Sequence, residues 1–147
     1  QDGLRGLQPN PRVTYSGFVP SEEFIKGIDA SFGLVWDGDS LDTCSGEYGN
    51  YLRWNSPHKV SFNLRAGLPV IVWKESAVAT IIRKYGCGIA VGSLRELDDI
   101  LPRLSQADYS KMRQNAIEMA ERLNQGHFLR GALKNVFNEF DGNAKPR

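Results

Sequence analysis

No run in this chain approaches the ~20 consecutive apolar residues that a membrane-spanning helix needs, and no segment has the pattern of a signal peptide. Cysteine and histidine are scarce: Cys44, Cys87, His58 and His127 are the full complement. None of them stands at metal-ligand spacing from another, which argues against a structural zinc. Two cysteines fit a reducing cytosol, with a single disulfide as the alternative. Charge of one sign is also lacking, since 18 basic residues face 17 acidic ones for a formal net charge of +1. That balance argues against nucleic acid or an acidic membrane as the main partner and leaves room for a local basic site. The glycine fingerprint of dinucleotide-binding proteins and the Walker phosphate loop are absent too, which disfavours a Rossmann oxidoreductase.

What is present is an ordinary soluble composition, 41% hydrophobic and 24% charged over 147 residues, long enough for one domain with a real core. Its unusual chemistry is concentrated between Tyr48 and Trp73. Tyr48, Tyr51, Arg53, Asn55, His58 and Lys59 crowd a loop that runs into Asn55-Ser56-Pro57, a helix-start signal with Ser56 as N-cap and Pro57 at the first helical position. Free N–H groups and the positive dipole end of that helix, with Arg53 and Lys59 close by, make a site suited to a phosphate. Gly67 and Pro69 end the helix, and Val70-Ile71-Val72 reads as a strand covered on both faces, as in a parallel sheet. In such sheets ligands collect beyond the carboxyl ends of the strands, where the loop before Pro57 would lie.

Along the rest of the chain, residues 1–12 read as an irregular lead-in and 13–140 as one α/β domain. Val13-Thr14-Tyr15 is a short strand candidate. Ser21 caps a helix running to about Ile28, and Phe32–Trp36 is the next strand. The Asp37–Asn55 stretch has no clear period, and its acidic residues lack the spacing of a calcium loop, so no metal or other cofactor is expected. A loop this long inside a compact domain points to function or mobility. Ser76 caps a helix from Ala77 to about Tyr85, and Gly88–Val91 is a strand. Ser93-Leu94-Arg95-Glu96 is a capping box opening a helix that stops near Leu104. Two amphipathic helices follow, about Asp108–Leu123 and Phe128–Phe140, before a disordered tail at 141–147. Four strands alternating with helices give a doubly wound, Rossmann-like parallel sheet with C-terminal helices.

The segments GFVPSEEF (17–24), GEYGNYLRWNSPHK (46–59) and RAGLPVIVW (65–73), with Ser76-Ala77, resemble the C-terminal, nucleotide-sugar-binding half of GT-B glycosyltransferases. The likeness is closest to bacterial galactofuranosyltransferases and to the glucosyltransferases that extend sugars on serine-rich-repeat adhesins. It spans about residues 13–140. The AGLPVIV element is common to many such families, whereas Tyr-Leu-Arg-x-Asn-x-Pro-His-Lys is particular. The resemblance implies a UDP-sugar as substrate, a hexose (galactofuranose or glucose) transferred to a glycan or glycoprotein, and a cytoplasmic enzyme, or one peripheral at the inner face of the membrane. It places the pyrophosphate at the Pro57 helix against Lys59 and Arg53, with Tyr48, Tyr51 and Asn55 hydrogen-bonding around it and His58 as a further donor. The nucleobase would lie near Phe18-Val19-Pro20, with Ser76 and Ala77 at the pocket edge. The helical glutamate that binds ribose in many relatives has no counterpart in Ser61-Phe62-Asn63-Leu64. The resemblance also implies an acceptor-binding N-terminal domain upstream, against which the last helix packs, and a start that precedes Gln1.

The residues by themselves leave other readings open. Lys59 is either a solvated first-turn lysine or a phosphate ligand, and Arg53 could pair with Glu47 or a loop aspartate. Tyr48, Tyr51 and Trp54 could anchor the loop by burial, with at least one in the core. A non-catalytic nucleotide or sugar-phosphate module and a protein-interaction domain are the alternatives to an enzyme. The amphipathic final helices would allow a homo-oligomer.

Overall fold

The computed structural model describes residues 10–143, with side chains through residue 138. The lead-in therefore falls mostly outside the described residues. Three strands, β1 (Gly33–Val35), β2 (Val70–Trp73) and β3 (Gly88–Val91), form a parallel sheet in the order β1-β2-β3. Helices α1 (Ser21–Gly27), α2 (Gly46–Tyr51), α3 (His58–Arg65), α4 (Ala79–Tyr85), α5 (Leu97–Arg103), α6 (Gln106–Asn124) and α7 (His127–Asn143) surround it. This is a Rossmann-like α/β layer with C-terminal helices. The described strands run in sequence order, without the reversal that makes a sheet doubly wound.

β2 is the centre of the layer, and all four of its residues are buried. Val70 and Val72 join Val35, Val60, Leu64, Ile82 and Met119 in the main core, which α3 and α6 close from one side. Trp73 points into a second, smaller core with Cys44, Leu52 and the half-buried Trp36. The long segment after β1 thus covers the carboxyl end of the sheet, while further back Leu34 stays exposed. α6 is docked by hydrogen bonds as well as by burial. The Tyr109 hydroxyl donates to the Ser31 carbonyl and Asn115 Nδ2 to the Gly86 carbonyl.

Several boundaries move for identifiable reasons. Val13–Tyr15 is not a strand; Val13 and Tyr15 are 70% and 68% exposed, and the segment closes an Asn10 turn instead. Its β-branched and aromatic composition expresses propensity, which pairing did not take up. Ser21 is the first residue of α1 rather than its cap, and Pro57 replaces Ser56 as the residue preceding α3. Ser76 does not cap α4, which starts at Ala79; its hydroxyl donates to the Trp73 carbonyl in a turn off β2. The capping box at Ser93–Glu96 is present but first winds a 3-10 turn over Leu94–Glu96. Gly86, at φ 59°, ends α4 in the left-handed conformation its sequence predicts. Ser105 caps α6 by accepting from the Asp108 N–H. α7 runs to Asn143, so the expected tail begins inside a helix; residues 144–147 lie outside the described residues. Leu129, Leu133, Val136 and Phe137 on α7 remain exposed.

Both cysteines are buried and unpaired. Burial pushes the Cys87 thiol up to about 11 from 9.0, and raises Cys44 as well. A thiol held protonated in the fold stabilises it below the unfolded pKa, and that contribution is lost as pH rises from about 9 through 11. Denaturant midpoints of the wild type should therefore fall across this window more steeply than those of Cys87→Ala. Neither thiol should react with an alkylating reagent at neutral pH until the chain unfolds.

Candidate functional site

The carboxyl ends of β1 and β2 open onto one edge, and the segment 37–57 is pinned there at several points. Trp36 Nε1 donates to the Ser40 carbonyl, and the Leu41 carbonyl accepts from Ser93 Oγ and from the Leu94 N–H. Asp42 pairs with Arg95 at 2.7 Å, and the Leu52 carbonyl accepts from the Ala77 N–H at 2.9 Å. α2 can lie this close only because residue 49 is glycine: a Cβ there would run into the Cys44 carbonyl.

α3 begins at this edge. No side chain caps its first turn, whose residues His58 and Lys59 are both exposed. An uncapped first turn offers backbone donors and the positive dipole end to an anion, and two basic side chains add to that potential. The anion this turn meets is internal: Lys59 Nζ donates to Asp37 Oδ1 at 2.5 Å. Lys59 is thus neither solvated alone nor committed beyond exchange, since its side chain is 61% exposed.

Against Phe62, further along α3, lies an open groove of about 660 Å³, walled also by Phe18, Val19, Phe24 and Ile28. Phe62, on α3, stacks on Phe24 of α1 with centroids 4.7 Å apart. Phe62 also borders a shallower depression of about 330 Å³ with His58, Lys59 and Arg65. Phe62 thus lines both the groove that holds Phe18 and Val19 and the depression that holds His58 and Lys59. Phe18 is 92% exposed, a flat apolar surface turned to solvent.

The other expected residues are placed as follows. Arg53 pairs with Glu75 at 2.6 Å, not with Glu47 or a loop aspartate, and its guanidinium lies 4.6 Å from the centre of the Trp73 ring. Asn55 is half-buried in the turn between α2 and α3. Ser76 is buried with its hydroxyl engaged, and Ala77 is tied to Leu52. Tyr48, Tyr51 and Trp54 are all exposed, which overturns the expectation that at least one belongs to the core; Leu52 and Cys44 fill that position. Glu75 and Phe62 are not singled out as site residues by the sequence, and Asp37 is read there only as part of an acidic loop. For Asp37 a signal existed, an acidic residue directly after a strand, but its partner on α3 could not be read from spacing. Among the described residues no group of three or more His, Cys, Asp or Glu is arranged for a metal ion, and no helix is long and apolar enough to cross a membrane.

Residues 5–136 match the family described as glucosyltransferase 3-like, C-terminal domain. The chain belongs to that family. Two relatives are similar over most of its length. The β-1,6-galactofuranosyltransferase WbbI of Escherichia coli (strain K12) is 36% identical over 130 residues, covering 88% of this chain and 39% of that protein. Glucosyltransferase 3 of Streptococcus gordonii is 30% identical over 126 residues, covering 85% of this chain and 37% of that protein. The chain thus spans well under half the length of either. No solved structure matches. Membership of the glucosyltransferase 3-like family bears out the resemblance read from residues 17–24, 46–59 and 65–73.

Proposed function

We propose that this chain is the donor-binding part of a glycosyltransferase that uses a nucleoside diphosphate hexose, with uridine as the nucleoside and galactofuranose or glucose as the sugar. The acceptor is a glycan or glycoprotein. The observation that carries the reading is the uncapped, basic first turn of α3 at the carboxyl edge of the sheet, on a helix whose Phe62 lines both the depression at His58 and Lys59 and the groove at Phe18 and Val19. In it the diphosphate takes the amides of the first turn with Lys59 and His58, Asn55 hydrogen-bonds beside them, and the base lies along Phe18-Val19-Pro20.

The chemistry this arrangement supplies is electrostatic. Negative charge grows on the diphosphate as the bond to the sugar breaks, and donors fixed in advance stabilise that charge more than the charge of the bound donor. Lys59 has the largest part, because it is the ammonium group on the turn itself. On binding it exchanges the Asp37 carboxylate for a phosphate oxygen, and on release of the nucleotide it returns to Asp37. The support for hexose transfer comes from the family and from the named activities of the two relatives.

Calorimetric titration of the chain with UDP, and with ADP and GDP in parallel, tests this. The expected result is a single site that takes UDP at least tenfold more tightly than the purine nucleotides. Equal affinity for all three would reduce the site to a general anion site.

A further inference from the structure

After Gly49 the helix winds tighter. The N–H groups of Leu52, Arg53 and Trp54 each bond to the carbonyl three residues back, at 3.1 Å. Residues three apart are neighbours on a helix surface and come closer to eclipsing in this last turn, so residues 46–54 present three rows. One, Gly49 and Leu52, is buried against Cys44 and Trp73. A second is Tyr48, Tyr51 and Trp54, exposed at 77%, 59% and 87%. The third, alongside it, is Glu47, Asn50 and Arg53, all exposed and all ending in planar polar groups.

Three exposed aromatic rings at three-residue intervals, a backbone rise of about 4.5–6 Å each, concentrate apolar surface on one side of this short segment. The composition of the two rows selects the occupant. The aromatic row has no aliphatic member, and each tyrosine adds a hydroxyl, so the surface is flat, apolar on its faces and polar at its edges. The flanking row supplies a carboxylate, an amide and a guanidinium, which together accept and donate in pairs. It is not basic: Glu47 is acidic, and Arg53 is already balanced by Glu75. A single-stranded nucleic acid needs stacking rings in a positive groove, which this row lacks. A neutral ligand with one flat apolar face per unit and hydroxyls around its rim matches both rows.

We propose that Tyr48, Tyr51 and Trp54 form a track for a neutral hexose chain, which carries the acceptor glycan toward the edge where Lys59 stands. The acceptor role rests on the transferase reading; the binding of glycan by the row does not. Successive sugar rings stack along the aromatic row while Glu47, Asn50 and Arg53 take their hydroxyls.

The test displays the chain as streptavidin tetramers on an array of neutral and anionic bacterial glycans. The comparison is with the double variant Tyr51→Ala/Trp54→Ala and with Lys59→Ala, each checked for folding by circular dichroism and titrated with UDP. The expected result is capture of neutral hexose oligosaccharides, reduced at least tenfold in the double variant and unchanged in Lys59→Ala. Capture of no glycan, capture of anionic glycans alone, or undiminished capture by the double variant overturns the track. Glycan capture with no UDP binding supports the track and overturns the donor reading; UDP binding with no glycan capture does the reverse.

Discussion

Replacing Lys59 by alanine should weaken UDP binding about ten- to hundredfold, and replacing Asp37 by asparagine should strengthen it. The first figure is the loss of one hydrogen bond to a charged group, worth about 1.5–3 kcal/mol. The second change follows from the pairing of Lys59 with Asp37. Lys59 Nζ lies 2.5 Å from Asp37 Oδ1, so a diphosphate competes with a carboxylate for the same ammonium group. Asparagine keeps the shape of Asp37 and removes the charge, leaving Lys59 unopposed at a positive helix end. Neither variant should lose much stability, because an exposed ion pair contributes at most about 1 kcal/mol. Calorimetry with parallel thermal melts separates the two effects, and raising the salt concentration should weaken wild-type binding while narrowing the gap between the variants. Unchanged UDP affinity in Lys59→Ala would remove the lysine from the site. Weaker binding in Asp37→Asn would make Asp37 a support for Lys59 instead of its competitor.

Trp73→Ala should be among the most destabilising single changes, at about 3–5 kcal/mol, and its effect should reach the site. Trp73 is 1% exposed at the end of the central strand, where Cys44, Leu52 and Trp36 pack on it and Arg53 lies over its ring. Removing the ring hollows out the core that holds the segment 37–55 on the sheet. That segment carries Asp37 and leads directly into α3. Urea unfolding should report the loss of stability. Limited proteolysis should cut between residues 37 and 55 earlier than elsewhere in the variant, since that segment loses its anchor while the Val70, Ile82 and Met119 core remains. Trp73→Phe should cost less, because it retains most of the ring contacts and removes an indole N–H that is buried without a partner among the described residues. A uniform loss of protection across the chain would mean that the two cores unfold as one.

How far the sequence could be read depended on how local the controlling interactions are. β2 and β3 were legible because a continuous apolar run and two glycines state strand and stop within a few residues; the same holds for the capping box at Ser93. Val13–Tyr15 has strand composition without a partner, and pairing is not a local property. α2 was hidden for a related reason. With Gly46, Gly49 and alternating polar and aromatic residues it has no 3.6-residue period, and what holds it is distant: the Cys44 carbonyl against Gly49, the Ala77 N–H on Leu52, and Glu75 on Arg53. At the site, Lys59 and the open helix start could be inferred from residues 55–59. Its counter-ion could not, since Asp37 lies 22 positions earlier. Tyr48 and Tyr51 were read as phosphate partners, or with Trp54 as loop anchors, because whether a ring at 48, 51 or 54 faces the core depends on where Gly49 and Leu52 face. Once the glycine is pressed against Cys44, the rings three apart must point outward.

The measurement that tests the central claim most directly is the position of bound UDP, followed through the amide signals of the isotopically labelled chain during a titration. The account predicts saturable shifts centred on His58, Lys59 and Val60 at the start of α3, with a second group at Phe18 and Val19, and little change on α6 or α7. Shifts confined to the α6–α7 side, or a folded chain whose spectrum UDP leaves unaltered, would contradict it.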